Sequence, residues 1–270
     1  MKIRIIAAVA LLPLLLIVVL LLPGICTAVL IGLMGAVGAY ELMMGTNLVK
    51  ETRLVIYSAV AALLVPVWCY YGMIHIWGLL GMLVFVSLLF GELLLSKAQL
   101  SVRSIALSIV GGILIPFFLS ALVRLHHTDH GKFYILIPFV LAFLSDTGAY
   151  FAGCAFGKHK LAPIISPKKT VEGLVGGVLG AIVGMELFCL IVHFGFQLEV
   201  NYLYAIIYGA IGSLAAVFGD LCFSAIKRQT GIKDYGNLIP GHGGILDRFD
   251  STVIVAPLTE ILMFLIPVVI

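Results

Sequence analysis

Seven charged side chains and one histidine fall between Ser224 and Asp250 of a chain that is otherwise almost all hydrocarbon. Lys227, Arg228, Lys233, Asp234, Asp247, Arg248 and Asp250 alternate there with His242 and with Gly231, Gly236, Gly241, Gly243 and Gly244. Cations, carboxylates and flexible backbone together are what a site for a metal and a polyphosphate needs. Asp220, Ser224 and Lys227 stand at i, i+4 and i+7, so a helix places them on one face. Asp247, Asp250 and Ser251 stand at i, i+3 and i+4, and share a face if the last helix starts there. Two helix ends at one depth can then gather Asp220, Asp247 and Asp250. Grouped carboxylates are hard oxygen ligands that suit Mg²⁺, which keeps waters and takes phosphates as its other ligands. The plainer alternative is pairing of these acids with Arg228 or Arg248. The glycines let backbone N–H groups approach an anion. The order of a Walker A loop is absent, and His242-Gly243-Gly244 alone is also compatible with a tight turn.

A second cluster begins at Ser145-Asp146-Thr147-Gly148-Ala149-Tyr150 and continues through Ser166-Pro167-Lys168-Lys169-Thr170. Asp146, Tyr150, Gly153 and Gly157 share one helix face. Pro167 and Thr170 mark the start of the next helix, with Glu172 in its first turn, where an acid suits the dipole. Lys168 and Lys169 stand at the membrane surface, either to meet an acidic headgroup or to anchor the helix. Beyond them, Gly173 and Gly177, and Gly176, Gly180 and Gly184, have the small-xxx-small spacing of packing surfaces.

The elements that must position these residues follow from composition. Hydrophobic residues make up 62% of the 270-residue chain and charged residues 11%. A soluble core cannot hide that much apolar surface, so the solvent is lipid. Nine stretches are long enough to cross a bilayer: 4–22, 25–45, 53–71, 74–96, 103–124, 133–157, 171–195, 202–227 and 250–269. All are expected as helices, since the alternation of barrel strands is missing. The fold class is therefore an all-α polytopic membrane protein with about nine spans. The first run is too long for a signal-peptide core and is read as a span. Its nine-span topology puts 14 of the 16 basic residues on the side of the N-terminus, leaving Arg124 and Lys132 on the other. The positive-inside rule makes the first side cytoplasmic, in the cell (inner) membrane.

The chain reads as one integral-membrane domain. Residues 1–124 hold three of the 13 acids and serve mainly as scaffold. Residues 125–270, with the loops 158–170 and 228–249, carry the chemistry. Glu41, Glu92, Asp146, Asp220 and Glu260 fall within spans, where carboxylates are costly. They suggest a polar funnel, formed mainly by the C-terminal helices and open to the cytoplasm. The net charge of +3 and the lack of a basic tail argue against nucleic acid. The five cysteines are spaced as small buried hydrophobes.

The run from Ser224 to Asp250 resembles the signature of the phosphatidate cytidylyltransferases, or CDP-diacylglycerol synthases, of bacterial type. Its pattern is S-x-apolar-K-R-x4-K-D-x-small-x2-apolar-P-x-H-G-G-apolar-x-D-R-x-D, and every specified position is filled. The segments Asp146-Thr147-Gly148-Ala149-Tyr150 and Ser166-Pro167-Lys168-Lys169-Thr170 also resemble that family. Two neighbouring positions that the family fills with polar residues are Cys154 and Ile164 here. The resemblance implies that CTP and phosphatidic acid give CDP-diacylglycerol and pyrophosphate with Mg²⁺, and a second cation is compatible with it. It implies metal ligation by Asp220 and Asp247, with Asp250 and Asp146 as further candidates. Lys227, Arg228, Lys233 or Arg248 would stabilise the leaving pyrophosphate. Ser224, His242, Gly243 and Gly244 would line the substrate site, and Lys168 and Lys169 would capture the phosphatidate headgroup. A homodimer is compatible with this reading. The alternatives are a CTP-dependent polyprenol or phytol kinase and, in another class, a cation-coupled transporter built on the same acids.

Overall fold

The computed structural model describes residues 13–72, 76–97, 99–239, 241 and 243–270. Residues 13–21 are helical (α1). Seven further helices are long and apolar enough to cross a bilayer: α2 (Gly24–Gly45), α3 (Thr52–Tyr70), α4 (Ile76–Leu95), α5 (Val102–His126), α6 (Gly131–Phe156), α7 (Val171–Phe196) and α8 (Tyr202–Gln229). Their ends fall within two residues of the expected spans. The chain is a multi-pass membrane protein, because only such helices satisfy a backbone in lipid over these lengths.

Of the two remaining spans, one differs from expectation. The one expected over 4–22 lies partly outside the described residues. The one expected over 250–269 is replaced by a four-residue turn of helix, α9 (Leu246–Phe249), and by α10 (Thr252–Leu265). At 1.5 Å per residue the 14 residues of α10 reach about 21 Å, short of a hydrocarbon core of about 30 Å. Beyond Leu265 the backbone turns extended: Asn201 donates its N–H to Val268 O at 3.0 Å, and Ile270 donates to Glu199 O at 2.9 Å. Asp247 and Asp250 therefore do not share one continuous helix face.

The chain forms two compact units, Met1–His127 with Lys227–Phe249, and Thr128–Ile226 with Asp250–Ile270. The 228–249 loop, expected to work with the second half, packs with the first. Within the first unit α2 and α3 approach closely, since a side chain on Gly32 would meet Leu63 O at 2.6 Å. Within the second unit α6 and α7 press together along the expected glycine rows: a Cβ on Gly180 would meet Leu144 O at 2.8 Å, and one on Gly177 would meet Ser145 O at 3.0 Å. The Ser145 and Ser213 hydroxyls share a hydrogen bond of 2.7 Å that ties α6 to α8.

The expected loop between α6 and α7 holds a short hairpin. Lys160–Ala162 (β1) and Ser166–Thr170 (β2) pair antiparallel, Lys160 opposite Thr170 and Ala162 opposite Ser166. This hairpin sits outside the spans, where its edges can be solvated. Thr170 then caps α7, its hydroxyl accepting from Gly173 N–H at 3.0 Å, as the Pro167–Thr170 start signal implied.

Candidate active site

In the first unit the loop after α8 is folded around one carboxylate. Asp247 is buried, and both of its oxygens are used. Oδ1 accepts from Lys227 Nζ at 2.8 Å. Oδ2 accepts from Tyr235 N–H at 2.8 Å and from Gly244 N–H at 3.0 Å. The side chains of Lys227 and Asp247 are only 9% and 2% exposed, so the pair is desolvated. Lys227 Nζ also lies 5.3 Å from the centre of the Tyr235 ring. Gly243 has a φ of +87°, which an L side chain rarely adopts. Its carbonyl accepts from Ile239 N–H at 2.9 Å and closes the loop on itself.

A second carboxylate of this unit holds the same loop. Glu41 is buried in the last, π-helical turn of α2. Its Oε1 accepts from Ile245 N–H at 3.0 Å and its Oε2 from Leu246 N–H at 2.8 Å. These are N–H groups at the start of α9 that no helix carbonyl can serve. Gly236 and Gly244 lie so near the Glu41 carboxylate that neither has room for a Cβ. Gly236, Gly243 and Gly244 thus make space for protein carboxylates, and the N–H of Gly244 is spent on Asp247 rather than left for an anion.

In the second unit the chemistry gathers on α8. Asp220 forms an ion pair with Lys169, and Ser224 Oγ donates to Asp220 Oδ1 at 3.2 Å. The Lys169 and Asp220 side chains are 22% and 26% exposed, so this pair is only half-buried. Next to Asp220, Gly219 lies against the backbone of Asp250 and Ser251 at 2.9–3.1 Å from where its Cβ would stand. Asp250 is buried, and its Oδ1 accepts from Ser251 N–H at 2.8 Å. At the base of the hairpin Glu172 accepts from the N–H groups of Lys158 and His159 and meets His159 Nδ1 at 2.6 Å.

The cytidylyltransferase family matches residues 2–266 of this chain. The chain belongs to that family. A protein of Bacillus subtilis named phosphatidate cytidylyltransferase is 35% identical over 246 residues, 88% of each chain. Proteins of the same name from Staphylococcus saprophyticus and Staphylococcus haemolyticus are 47% and 46% identical over 135 and 133 residues. With those two the match spans about half the length of either chain.

For this family member, the expected site residues fall into three groups. Lys227, Asp247 and Gly244 come together in the first unit, where the sequence pattern had cast Asp247 as a metal ligand, with Arg228 or Arg248 as the alternative partner. Asp220, Ser224 and Lys169 come together in the second. Arg228, Lys233, Arg248 and Lys168 are exposed, with Arg228 donating to Ile232 O at 3.3 Å. Asp146 is exposed on α6, and His242 lies outside the described residues. Among the described residues neither unit gathers three or more His, Cys, Asp or Glu side chains as a metal cage. The acids expected to line a funnel include Glu92, which instead accepts from Tyr57 OH at 3.1 Å and pairs with Arg53 at 3.4 Å. Sequence reasoning gave Glu41 no role beyond that funnel and did not single out Tyr235. The signal for Glu41 was present, since a carboxylate inside a span needs a partner. Its partners lie more than 200 residues away along the chain, so no local spacing reveals them.

Proposed function

We propose that this protein transfers the cytidylyl group of CTP to phosphatidic acid, giving CDP-diacylglycerol and pyrophosphate. The observation that carries the reading is the filled signature from Ser224 to Asp250 in a multi-pass member of the cytidylyltransferase family. The names of the Bacillus and Staphylococcus relatives support the same substrates. In the reaction a phosphate oxygen of phosphatidate attacks the α-phosphorus of CTP. The new P–O bond forms as the α–β anhydride bond breaks, and pyrophosphate leaves with the electron pair. The attacking oxygen is already anionic, so no covalent Ser or Cys is needed. Positioning and charge neutralisation then account for catalysis.

Each unit is proposed to supply one part. In the first, the Lys227–Asp247 pair and Glu41 fix the loop, and Arg228, Lys233 and Arg248 bind the triphosphate and the leaving pyrophosphate. In the second, Lys168 and Lys169 bind the phosphatidate headgroup beside Asp220. Mg²⁺ is the proposed cofactor. Asp220 fits it as a hard oxygen donor that is partly open and held by a displaceable ammonium, whereas Asp247 has both oxygens taken. When bound, Mg²⁺ would offset the charge of the nucleotide phosphates. The 14-to-2 asymmetry of basic residues supports a cytoplasmic site in the inner membrane. Cysteines placed at Asn201 and Lys168 would then label from opposite membrane faces, and labelling from one face would reverse that assignment.

The reaction is tested by reconstituting the protein in vesicles with labelled CTP and phosphatidate. A CDP-lipid product is expected. A phosphorylated lipid made from an alcohol acceptor would point to a kinase, and nucleotide-independent cation flux to a transporter.

A further inference from the structure

Ile164 is 87% exposed, the most exposed large apolar side chain among the described residues. Others that are highly exposed lie on helices: Leu94 and Leu95 at 78% on a helix able to cross a bilayer, Leu21 at 76% on α1 and Phe264 at 75% on α10. Ile164 lies on no helix. It sits at the tip of the β1–β2 hairpin, in the turn Pro163-Ile164-Ile165 between the two strands. Exposed Lys168 lies on the strand after the tip and exposed Lys158 and Lys160 at the base of the hairpin, and Glu172 is the one acid between Phe156 and Leu174.

The hairpin is fastened to a membrane helix. Glu172 in the first turn of α7 binds the N–H groups of Lys158 and His159. Val171 N–H donates to His159 O at 2.9 Å, and Thr170 caps the same helix. The base of the hairpin is therefore held at the ends of α6 and α7. A three-residue strand reaches about 10 Å. The headgroup layer on each side of the hydrocarbon is roughly 5–7 Å thick, so the tip can cross it. An apolar tip with lysines set behind it along the strands and at the base matches the surface of an anionic bilayer in both polarity and charge.

We propose that the hairpin tip is an interfacial anchor, in which Ile164 seats among acyl chains while Lys158, Lys160 and Lys168 face anionic headgroups. The anchor needs only the membrane, so it stands or falls apart from the cytidylyl-transfer reading. It brings Lys168 to the level at which a lipid phosphate arrives.

The test places a fluorescent reporter at the tip. Ile164→Trp is made with Trp68→Phe and Trp77→Phe, and the protein is reconstituted in phosphatidylcholine vesicles with and without phosphatidylglycerol. The expected result is blue-shifted emission, quenched by chain-brominated lipid and shielded from aqueous iodide, with a larger shift when phosphatidylglycerol is present. Adding Lys158→Gln, Lys160→Gln and Lys168→Gln should abolish that extra shift. Emission typical of water with full iodide quenching in both vesicles would overturn the proposal. So would shielding from both quenchers, which would mean that protein covers the tip. If the background lacking Trp68 and Trp77 does not fold, the same quantities are read as the difference between Ile164→Trp and the wild-type protein.

Discussion

Asp247 in the first unit has a side chain 2% exposed, with both oxygens taken by Lys227, Tyr235 and Gly244. Asp220 in the second is 26% exposed and pairs with Lys169, whose stem is partly open while its ammonium nitrogen is buried. The two acids have the same chemistry, and their spacing in the sequence casts them alike as metal ligands. Burial separates them. A desolvated carboxylate with three hydrogen bonds from the protein is held by the fold and holds the fold. A half-exposed carboxylate with one displaceable cation can exchange that partner for a ligand. The difference teaches that a motif can contain both the keystone of a loop and the groups that the loop presents, and that only burial tells them apart.

The widest break of this comparison is the pair of neutralising variants. Asp247→Asn leaves the Lys227 ammonium buried against a neutral amide, which is expected to cost about 3–5 kcal/mol. Thermal unfolding in detergent should fall steeply, and the 231–245 loop should become sensitive to protease. Lys227→Met with Asp247→Leu should recover part of the stability by removing both charges. Recovery should stay incomplete, because Tyr235 N–H and Gly244 N–H then lose their acceptor. Asp220→Asn should cost less, about 1–3 kcal/mol, because the Lys169 ammonium is buried while the Asp220 side chain is partly solvated. It should nonetheless lower turnover by roughly 10²-fold or more, the scale of a lost charge-stabilising contact in a transition state. If Asp220→Asn unfolded the protein while Asp247→Asn lost only turnover, the two roles would be reversed.

Glu41 sharpens the comparison inside the first unit. It binds Ile245 and Leu246 through separate oxygens. In Glu41→Gln one oxygen becomes an NH₂ group that faces a backbone N–H. One bond is lost and one donor is left buried, at about 1–3 kcal/mol. The loop should loosen without the protein unfolding, and the KM for CTP should rise while that for phosphatidate holds. Stability and kinetics like those of the wild type would show that Asp247 fixes the loop alone.

The helices were legible in the sequence because lipid leaves the backbone few choices. Runs such as Ile76–Leu95 have one possible structure at that length and hydropathy. Thr170 and Glu172 likewise announced the start of α7 through local chemistry. The hairpin was not legible, because Lys160-Leu161-Ala162 and Ser166-Pro167-Lys168-Lys169-Thr170 are short, lack alternation and include a proline. The short last helix was missed because the extended pairing of Val268 and Ile270 with residues 199–201 cuts an apolar run that composition alone would extend. At the site, Ser224 with Asp220 followed from i+4 spacing, whereas the partners of Asp247 did not. Tyr235 and Gly244 approach it with backbone N–H groups, and the identity of a residue says little about where its backbone points.

The smallest expected effects concern the exposed cations, and they test whether the two units divide the substrates. Arg228 and Lys168 are both exposed, so replacing either with Ala should move stability by no more than about 0.5 kcal/mol. Their difference should appear in binding. Loss of a charge-assisted contact to phosphate is worth about 1.5–3 kcal/mol, which is roughly tenfold or more in an apparent constant. Arg228→Ala should raise the KM for CTP and leave that for phosphatidate. Lys168→Ala should do the opposite. Arg228→Lys should restore the CTP dependence only in part, because an ammonium is a point charge without the planar fork of the guanidinium. Steady-state kinetics with each substrate varied at saturating levels of the other reads all three variants. If both alanine variants shifted the CTP dependence alone, Lys168 would serve the nucleotide and its proposed headgroup role would be withdrawn.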